Sequence, residues 1–121
     1  MKKLMPQEVE VWYLIPAIRR EFSNIFTKDY NLNQKETAKI LGITESAVSQ
    51  YLKSSRGSKA NFSIEDKNKI KISAEKVING KKDFMKVLYN LCLDLRKSRT
   101  ICTIHKNQDK SVPKDCDICF G

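Results

Sequence analysis

The sequence predicts an all-α fold, and three observations support this prediction. Apolar residues recur at spacings of three and four along most of the chain, which is the periodicity of amphipathic helices. Alternating stretches are few, and no Asn-Gly or Asp-Gly hairpin links two apolar runs. Polar capping residues and glycines fall where the periodic segments would begin and end. We therefore expect a helical body followed by a short irregular tail.

The first predicted helix runs from Glu8 to Tyr30 and contains a proline. Pro16 lacks a backbone donor, so it should kink this helix or restart it. Glu8 and Glu10 interrupt the apolar region near the N-terminus, and no small-residue cleavage site follows them, which argues against a signal peptide. The apolar stripe of the helix is Val11, Leu14, Ile15, Ile18, Phe22, Ile25 and Phe26.

Two short amphipathic segments come next, in QKETAKILGITESAVSQYLK (residues 34–53). Gly42 lies at their joint, where a left-handed backbone suits glycine, and Ala38 is small where the two helices approach closely. Thr44 is positioned to cap the second helix, and Glu45 favours its positive end. These spacings predict a helix-turn-helix. Its apolar contacts are Ala38, Ile40, Leu41, Ile43, Val48, Tyr51 and Leu52.

Two longer helices complete the predicted body after a polar, basic loop, KSSRGSKANF. Ser63 is the expected N-cap of the first, which Gly80 closes. The second runs from about Lys82 to Lys97, with the stripe Phe84, Val87, Leu88, Leu91, Cys92 and Leu95. We accordingly divide the chain into a helix-turn-helix domain (1–62), a helical linker or dimerisation region (63–99) and a Cys/His tail (100–121).

The chain of 121 residues carries a formal net charge of +9. This excess of Lys and Arg favours polyanions, either nucleic acid or an anionic membrane, although a lysine-rich composition also fills solvated faces. No apolar run approaches the ~20 residues of a membrane span. We expect a cytoplasmic protein without a membrane partner.

The helix-turn-helix favours DNA as the polyanion, because the second helix of such a motif presents its N-terminal residues to base edges in the major groove. Gln50 suits adenine, and Ser46 or Ser49 reaches donor or acceptor edges. Lysines on both sides of the pair would neutralise phosphates. The predicted DNA-binding residues are Gln34, Lys35, Thr44, Glu45, Ser46, Ser49, Gln50, Lys53, Ser54 and Arg56, with Lys59 as a further cation.

Three of the four cysteines lie in the last 20 residues, a clustering that favours metal or redox chemistry in a reducing cytosol. Cys102-x2-His105 and Cys116-x2-Cys119 form two close pairs with a loop between them, and this Cys3His set suits tetrahedral zinc. If Cys92 replaces His105, four thiolates suit an iron–sulfur cluster such as [4Fe-4S]. Cys92 is also consistent with a buried core residue. We favour the cluster as a redox or iron sensor, with Zn²⁺ as the alternative.

The segment LNQKETAKILGITESAVSQYLKSSRG, preceded by VEVWYLIPAIRREF, resembles predicted archaeal transcriptional regulators with a lambda-repressor-like (Xre-type) helix-turn-helix. The resemblance covers roughly residues 6 to 58. It implies sequence-specific binding to double-stranded DNA, as a homodimer on a palindromic site. The tail CTIH…DCDIC is similar to one in short members of this group.

Two other classes of function compete with this interpretation. An enzyme or electron carrier would use the cysteine site, but the sequence has no Gly-rich phosphate loop, no acid–base pair and a single histidine. We therefore predict neither catalysis nor a small-molecule substrate. A zinc-stabilised adaptor or antitoxin, whose helix-turn-helix binds a protein partner, is the alternative to the regulator.

Overall fold

The computed structural model describes residues 5–53 and 62–97, and all regular structure in these two ranges is helical. The all-α prediction is confirmed for them. None of their helices is long and apolar enough to cross a membrane. The helices are α1 (Pro6–Val9), α2 (Ile15–Asn24), α3 (Gln34–Leu41), α4 (Glu45–Lys53), α5 (Ile64–Ile78) and α6 (Phe84–Lys97), with π-helical segments at Glu10–Leu14 and Ile25–Asp29.

The predicted first helix is a continuous helical rod over residues 6–29 that changes type three times, from α to π, back to α and again to π. In the first π segment the N–H of Ile15 donates to the carbonyl of Glu10, five residues back. The α-helix then restarts at Ile15, with Pro16 in its first turn. A missing N–H is tolerated at the start of a helix, so Pro16 restarts the helix without breaking the rod.

The first π segment determines which N-terminal valine reaches the core. The stripe predicted for this helix included Val11, but Val11 is 59% exposed whereas Val9 is fully buried. Because hydrogen bonds in a π-helix span five residues, the side chain one turn before Leu14 is five positions back, not three or four. The assignment of Val11 to the core is therefore wrong. The other residues of the predicted stripe are buried or pack against the core.

The core lies where the rod meets α5 and α6. The Phe22 ring is 5.1 Å from that of Phe84 on α6, edge to face, and 5.6 Å from that of Phe26, measured between centroids. All six residues of the stripe predicted for α6 are buried, which confirms that assignment. Burying large apolar side chains from three elements in one cluster is the main source of stability in a body of this size.

Both ends of α5 follow the sequence prediction. The Ser63 hydroxyl accepts a hydrogen bond from the Asp66 N–H at 3.1 Å, which is the expected N-cap. Asn79 ends the helix, and Gly80 follows it in the left-handed conformation at φ +70°. Glycine adopts this φ without the Cβ penalty of other residues, and the chain turns there towards α6.

Candidate nucleic-acid interface

A capping box fixes the start of α3. The Asn33 side chain accepts from the Glu36 N–H at 2.7 Å, and the Asn33 N–H donates to the Glu36 carboxylate at 3.2 Å. The start at Gln34 agrees with the sequence prediction, whereas the cap was not predicted, although Asn-x-x-Glu before an apolar run is a recognised start signal. Two of the N-terminal donors of α3 are satisfied in this way, so the helix begins at a defined residue.

The connection between α3 and α4 consists of residues 42–44. Gly42 has φ +68°, and the N–H of Ile43 donates back to the Ala38 carbonyl at 3.0 Å. A Cβ at Gly42 would meet no atom within 4 Å, so the need for glycine is conformational, not steric. Thr44 then caps α4 by accepting from the Ala47 N–H at 3.0 Å. The predicted turn at Gly42 and the predicted N-cap at Thr44 are confirmed.

One side of α4 is anchored in the body. Val48 and Tyr51 are buried, and α4 contacts both α2 and α3. On α3, Ala38 and Leu41 are buried as predicted, and so is Thr37, a polar residue that the sequence analysis did not place. A helix that packs against two other helices keeps its exposed face in a fixed orientation relative to the core.

The other side of α4 is polar and open to solvent. At about 100° per residue, its five polar or charged side chains fall in an arc of about 140°, opposite Val48 and Tyr51. Four of them are exposed and Ser49 is half-buried. This face carries hydroxyl, amide, carboxylate and ammonium groups, which can donate to and accept from an external partner. Its members are Glu45, Ser46, Ser49, Gln50 and Lys53.

Some of the residues predicted to contact the DNA backbone lie in the described ranges, around this face. Gln34 is half-buried at the start of α3, whereas Lys35 and Thr44 are exposed. Lys39 is a further exposed cation on α3 that the sequence analysis did not single out, although its spacing of four from Lys35 puts both on one side of the helix. The remaining predicted contacts, Ser54, Arg56 and Lys59, lie outside the described residues.

Of the predicted metal ligands, Cys92 is the one that the described ranges include. It lies in the apolar cluster, and this burial, together with the nearby negative charge of Glu10, raises the pKa of its thiol from 9.0 to about 11; Arg96 and Arg19 oppose the shift. Residues 5–53 and 62–97 contain no group of three or more His, Cys, Asp or Glu side chains able to hold a metal. The other candidates, Cys102, His105, Cys116 and Cys119, lie outside these ranges.

No protein-family model, no curated protein and no solved structure matches the chain. The resemblance of residues 6 to 58 to helix-turn-helix regulators therefore stays a prediction. We draw the function from the residues and their positions.

Proposed function

We propose that this protein is a transcriptional regulator that reads double-stranded DNA with α4. The observation that supports this best is the polar face of Glu45, Ser46, Ser49, Gln50 and Lys53 on a helix whose opposite side is anchored in the core. With nine residues, α4 is about 13 Å long. A short helix that follows a tight turn and exposes one polar face is the element that helix-turn-helix proteins lay in the major groove.

In this proposal four side chains of α4 contact base edges in the major groove. Gln50 is suited to adenine, whose major-groove edge offers one donor and one acceptor, and Glu45 is suited to the amino group of cytosine. Ser46 and Ser49 are short and serve either kind of edge. Their chemical variety is what supports sequence-specific binding over binding to any polyanion.

Phosphate contacts come from the cations and donors around that face. Lys35 and Lys53 are exposed at the start of α3 and the end of α4, and the N–H of Gln34 belongs to the first turn of α3. Thr44 accepts a bond from its own helix, which uses the hydroxyl oxygen and still allows its proton to be donated to a phosphate. Ser54 and Arg56, which follow Lys53 in the sequence, are further candidates for phosphate contacts. The net charge of +9 adds a long-range attraction to DNA.

The experiment is a selection of duplexes from a random pool with the full-length protein, followed by binding to the enriched sequence over a salt series. We expect a preferred sequence and an affinity that falls steeply with salt, because each phosphate contact releases counterions. An enriched palindrome would agree with a homodimer. A pool that yields no preferred sequence, or binding with a flat salt response, would contradict the regulator and favour the adaptor.

Lys53→Ala sharpens this test. If Lys53 touches a phosphate, its removal weakens binding to all sequences and lowers the salt slope by about one. Lys71→Ala is the matched control, because Lys71 is an exposed cation on α5, outside the helical pair. Equal losses for the two variants would mean that overall charge, not the face of α4, holds the DNA.

The second part of the proposal is a metal site in the C-terminal tail, and here Cys92 bears on the choice of metal. A four-thiolate cluster would require Cys92 to give up its place in the apolar cluster and to ionise despite the raised pKa of its thiol. The set Cys102, His105, Cys116 and Cys119 needs no such change and has the composition of a structural zinc site. The packing of Cys92 therefore favours Zn²⁺ over the iron–sulfur cluster that the sequence analysis preferred.

Anaerobic purification with metal analysis and a visible spectrum tests this choice. We expect a colourless protein with one equivalent of zinc, which Cys116→Ser loses and Cys92→Ala retains. A brown preparation that Cys92→Ala bleaches would restore the iron–sulfur sensor and move Cys92 from the core to the ligand set.

A further inference from the structure

An apolar groove lies between α6 and the first π-helical segment. It encloses about 300 Å³, and its apolar walls include Ile15 from the rod and Met85, Tyr89 and Leu93 from α6. No residue of α3 or α4 lines it. We call this feature the α6 groove. It is separate from the polar face of α4, so a partner bound there would leave that face open.

The α6 groove exists because α6 carries a second apolar stripe beside the one that packs in the core. Met85, Tyr89 and Leu93 follow one another at intervals of four, and Met85 and Tyr89 are 63% and 67% exposed. Together the two stripes cover an arc of about 240° at 100° per residue. A helix that is apolar over so much of its circumference is typical of one that packs on two sides. The described core occupies one of those sides.

The charges of the α6 groove are balanced, in contrast to the chain as a whole. Arg96 donates to the Glu10 carboxylate across it, which places one positive and one negative group in the same wall. Lys86 lies beside Met85 and Tyr89 in a neighbouring depression and does not line the groove. Nucleic acid, an anionic lipid surface or an acidic protein would be recognised by an excess of cations. A balanced apolar surface instead suits a partner that is itself strongly basic, because the contact adds no repulsion there.

We propose that the partner on the α6 groove is a second copy of this chain. The copy carries the same net charge of +9 and the same balanced wall, so two such molecules meet at this wall without unpaired like charges facing each other. A two-fold contact is self-complementary: the Met85–Tyr89 ridge of each copy lies in the groove of the other. Large aromatic and methionine side chains are the usual anchors of such contacts. The inference rests on the proposed function in that it identifies the surface of the homodimer named there.

The length of the contact predicts its strength. The groove follows α6 for about three turns, from Met85 to Arg96. A contact of this length is short, so we expect weak association that depends on concentration. Binding of both copies to one palindromic DNA would add to it, because the second half-site is then bound at a high effective concentration.

The test is sedimentation equilibrium of the full-length protein without DNA over a concentration series. We expect a monomer–dimer equilibrium in the wild type. The double variant Met85→Lys/Tyr89→Lys should weaken it by about tenfold or more, because charge replaces both anchors. Both residues are exposed, so we expect the variant to retain the helical circular dichroism and the melting temperature of the wild type.

Ile72→Lys is the matched control, because Ile72 is an apolar residue of α5 that is 55% exposed and lines no part of the α6 groove. A wild type that stays monomeric throughout the series would overturn the proposal. So would dimerisation that the double variant leaves unchanged, or that Ile72→Lys weakens equally. A monomer whose double variant melts at a much lower temperature would also overturn it, because the groove would then be covered within one chain.

Binding to a duplex with a single half-site separates this inference from the proposed function. The variant Met85→Gln/Tyr89→Gln, which leaves the net charge at +9, should bind the half-site as the wild type does and lose its advantage on the full palindrome. If the wild type bound no DNA at all, the proposed regulator would be refuted. The sedimentation result would still decide whether the α6 groove is a dimer surface.

Discussion

The helices α4 and α6 bury their inner faces in the same way and differ in what they expose. The inner residues Val48 on α4 and Leu91 on α6 are both buried against other helices. Outside, α4 presents Gln50 and Lys53, whereas α6 presents Met85 and Tyr89. The buried inner faces stabilise the fold. The exposed outer faces contribute little to stability, so their composition calls for a different explanation.

This difference is the reason for proposing two kinds of partner. Hydroxyl, amide and charged groups on an anchored helix suit hydrogen bonding to base edges and phosphates. Exposed methionine and tyrosine beside a balanced ion pair suit another apolar surface, because their burial is favourable only when water is excluded. The two proposed partners, DNA and a second copy, would therefore use two surfaces of the chain with no shared residue.

The largest expected effect comes from a substitution in the inner face, the feature that α4 and α6 have in common. Leu91→Ala should lower the free energy of unfolding by about 2–5 kcal/mol, the range for truncating a buried leucine and leaving a cavity. Tyr89 lies two positions before Leu91 and is exposed, so Tyr89→Ala should change the free energy of unfolding by less than about 0.5 kcal/mol. Urea denaturation at low protein concentration measures both. Similar losses would mean that the outer stripe of α6 is part of the core.

Gln50→Ala tests the outer face of α4. We expect a loss of about 1–3 kcal/mol on the selected DNA sequence, concentrated at one base pair, and little change on unrelated duplexes. Fluorescence anisotropy on single-base variants of that sequence measures the pattern. Asn68→Ala, an exposed amide on α5, is the control and should bind as the wild type does. A uniform loss across all sequences would place Gln50 on the phosphates, not on a base.

Thr44→Ala tests how α4 is held at its start. Removing the hydroxyl that accepts from the Ala47 N–H should cost about 1 kcal/mol of stability, the usual value for an N-cap. Ser46→Ala removes a nearby exposed hydroxyl and should cost less than about 0.5 kcal/mol. Thermal melts of the two variants give the comparison. If Ser46→Ala were the more damaging, the cap would not define the start of the helix.

The smallest effect concerns Cys92 and pH. The pKa of its thiol is raised to about 11 in the folded chain, so above pH 9 the unfolded chain loses this proton first. The stability that the buried neutral thiol contributes is therefore complete below pH 9 and is lost as the pH rises towards 11. By pH 9.5 the loss should be below about 1 kcal/mol. Denaturation between pH 8 and 10 should show this slope in the wild type and not in Cys92→Ala, and equal slopes would refute the assignment of the shift to Cys92.

The predictions from sequence succeed where one local rule decides. The turn at Gly42 and the six buried residues of α6 follow from backbone preference and helical spacing. The register before Leu14 does not, because helical spacing assumes α-helical hydrogen bonds, whereas residues 10–14 form π-helical ones that span five residues. The second stripe on α6 was readable as Met85, Tyr89 and Leu93, but one apolar stripe already accounted for the helix.

The polar face of α4 is a different case. Its residues were found from sequence because a buried Val48 fixes the opposite side of a short helix. Spacing alone does not reveal how far each side chain is covered, and Ser49 is half-buried while its neighbour Gln50 is exposed. The balance of Glu10 against Arg96 was also beyond the sequence, because 86 positions separate the two residues along the chain.

The extra residue in the first π segment has a consequence for the whole N-terminus. Deleting one residue between Glu10 and Leu14 would allow ordinary α-helical bonding, and everything before the deletion would rotate by about 100° about the rod axis. Val9 would then leave the interior, and the carboxylate that neutralises Arg96 would turn away from it. A single codon in this stretch thus links the burial of Val9 to the Glu10–Arg96 ion pair, on which the proposed contact between two copies depends.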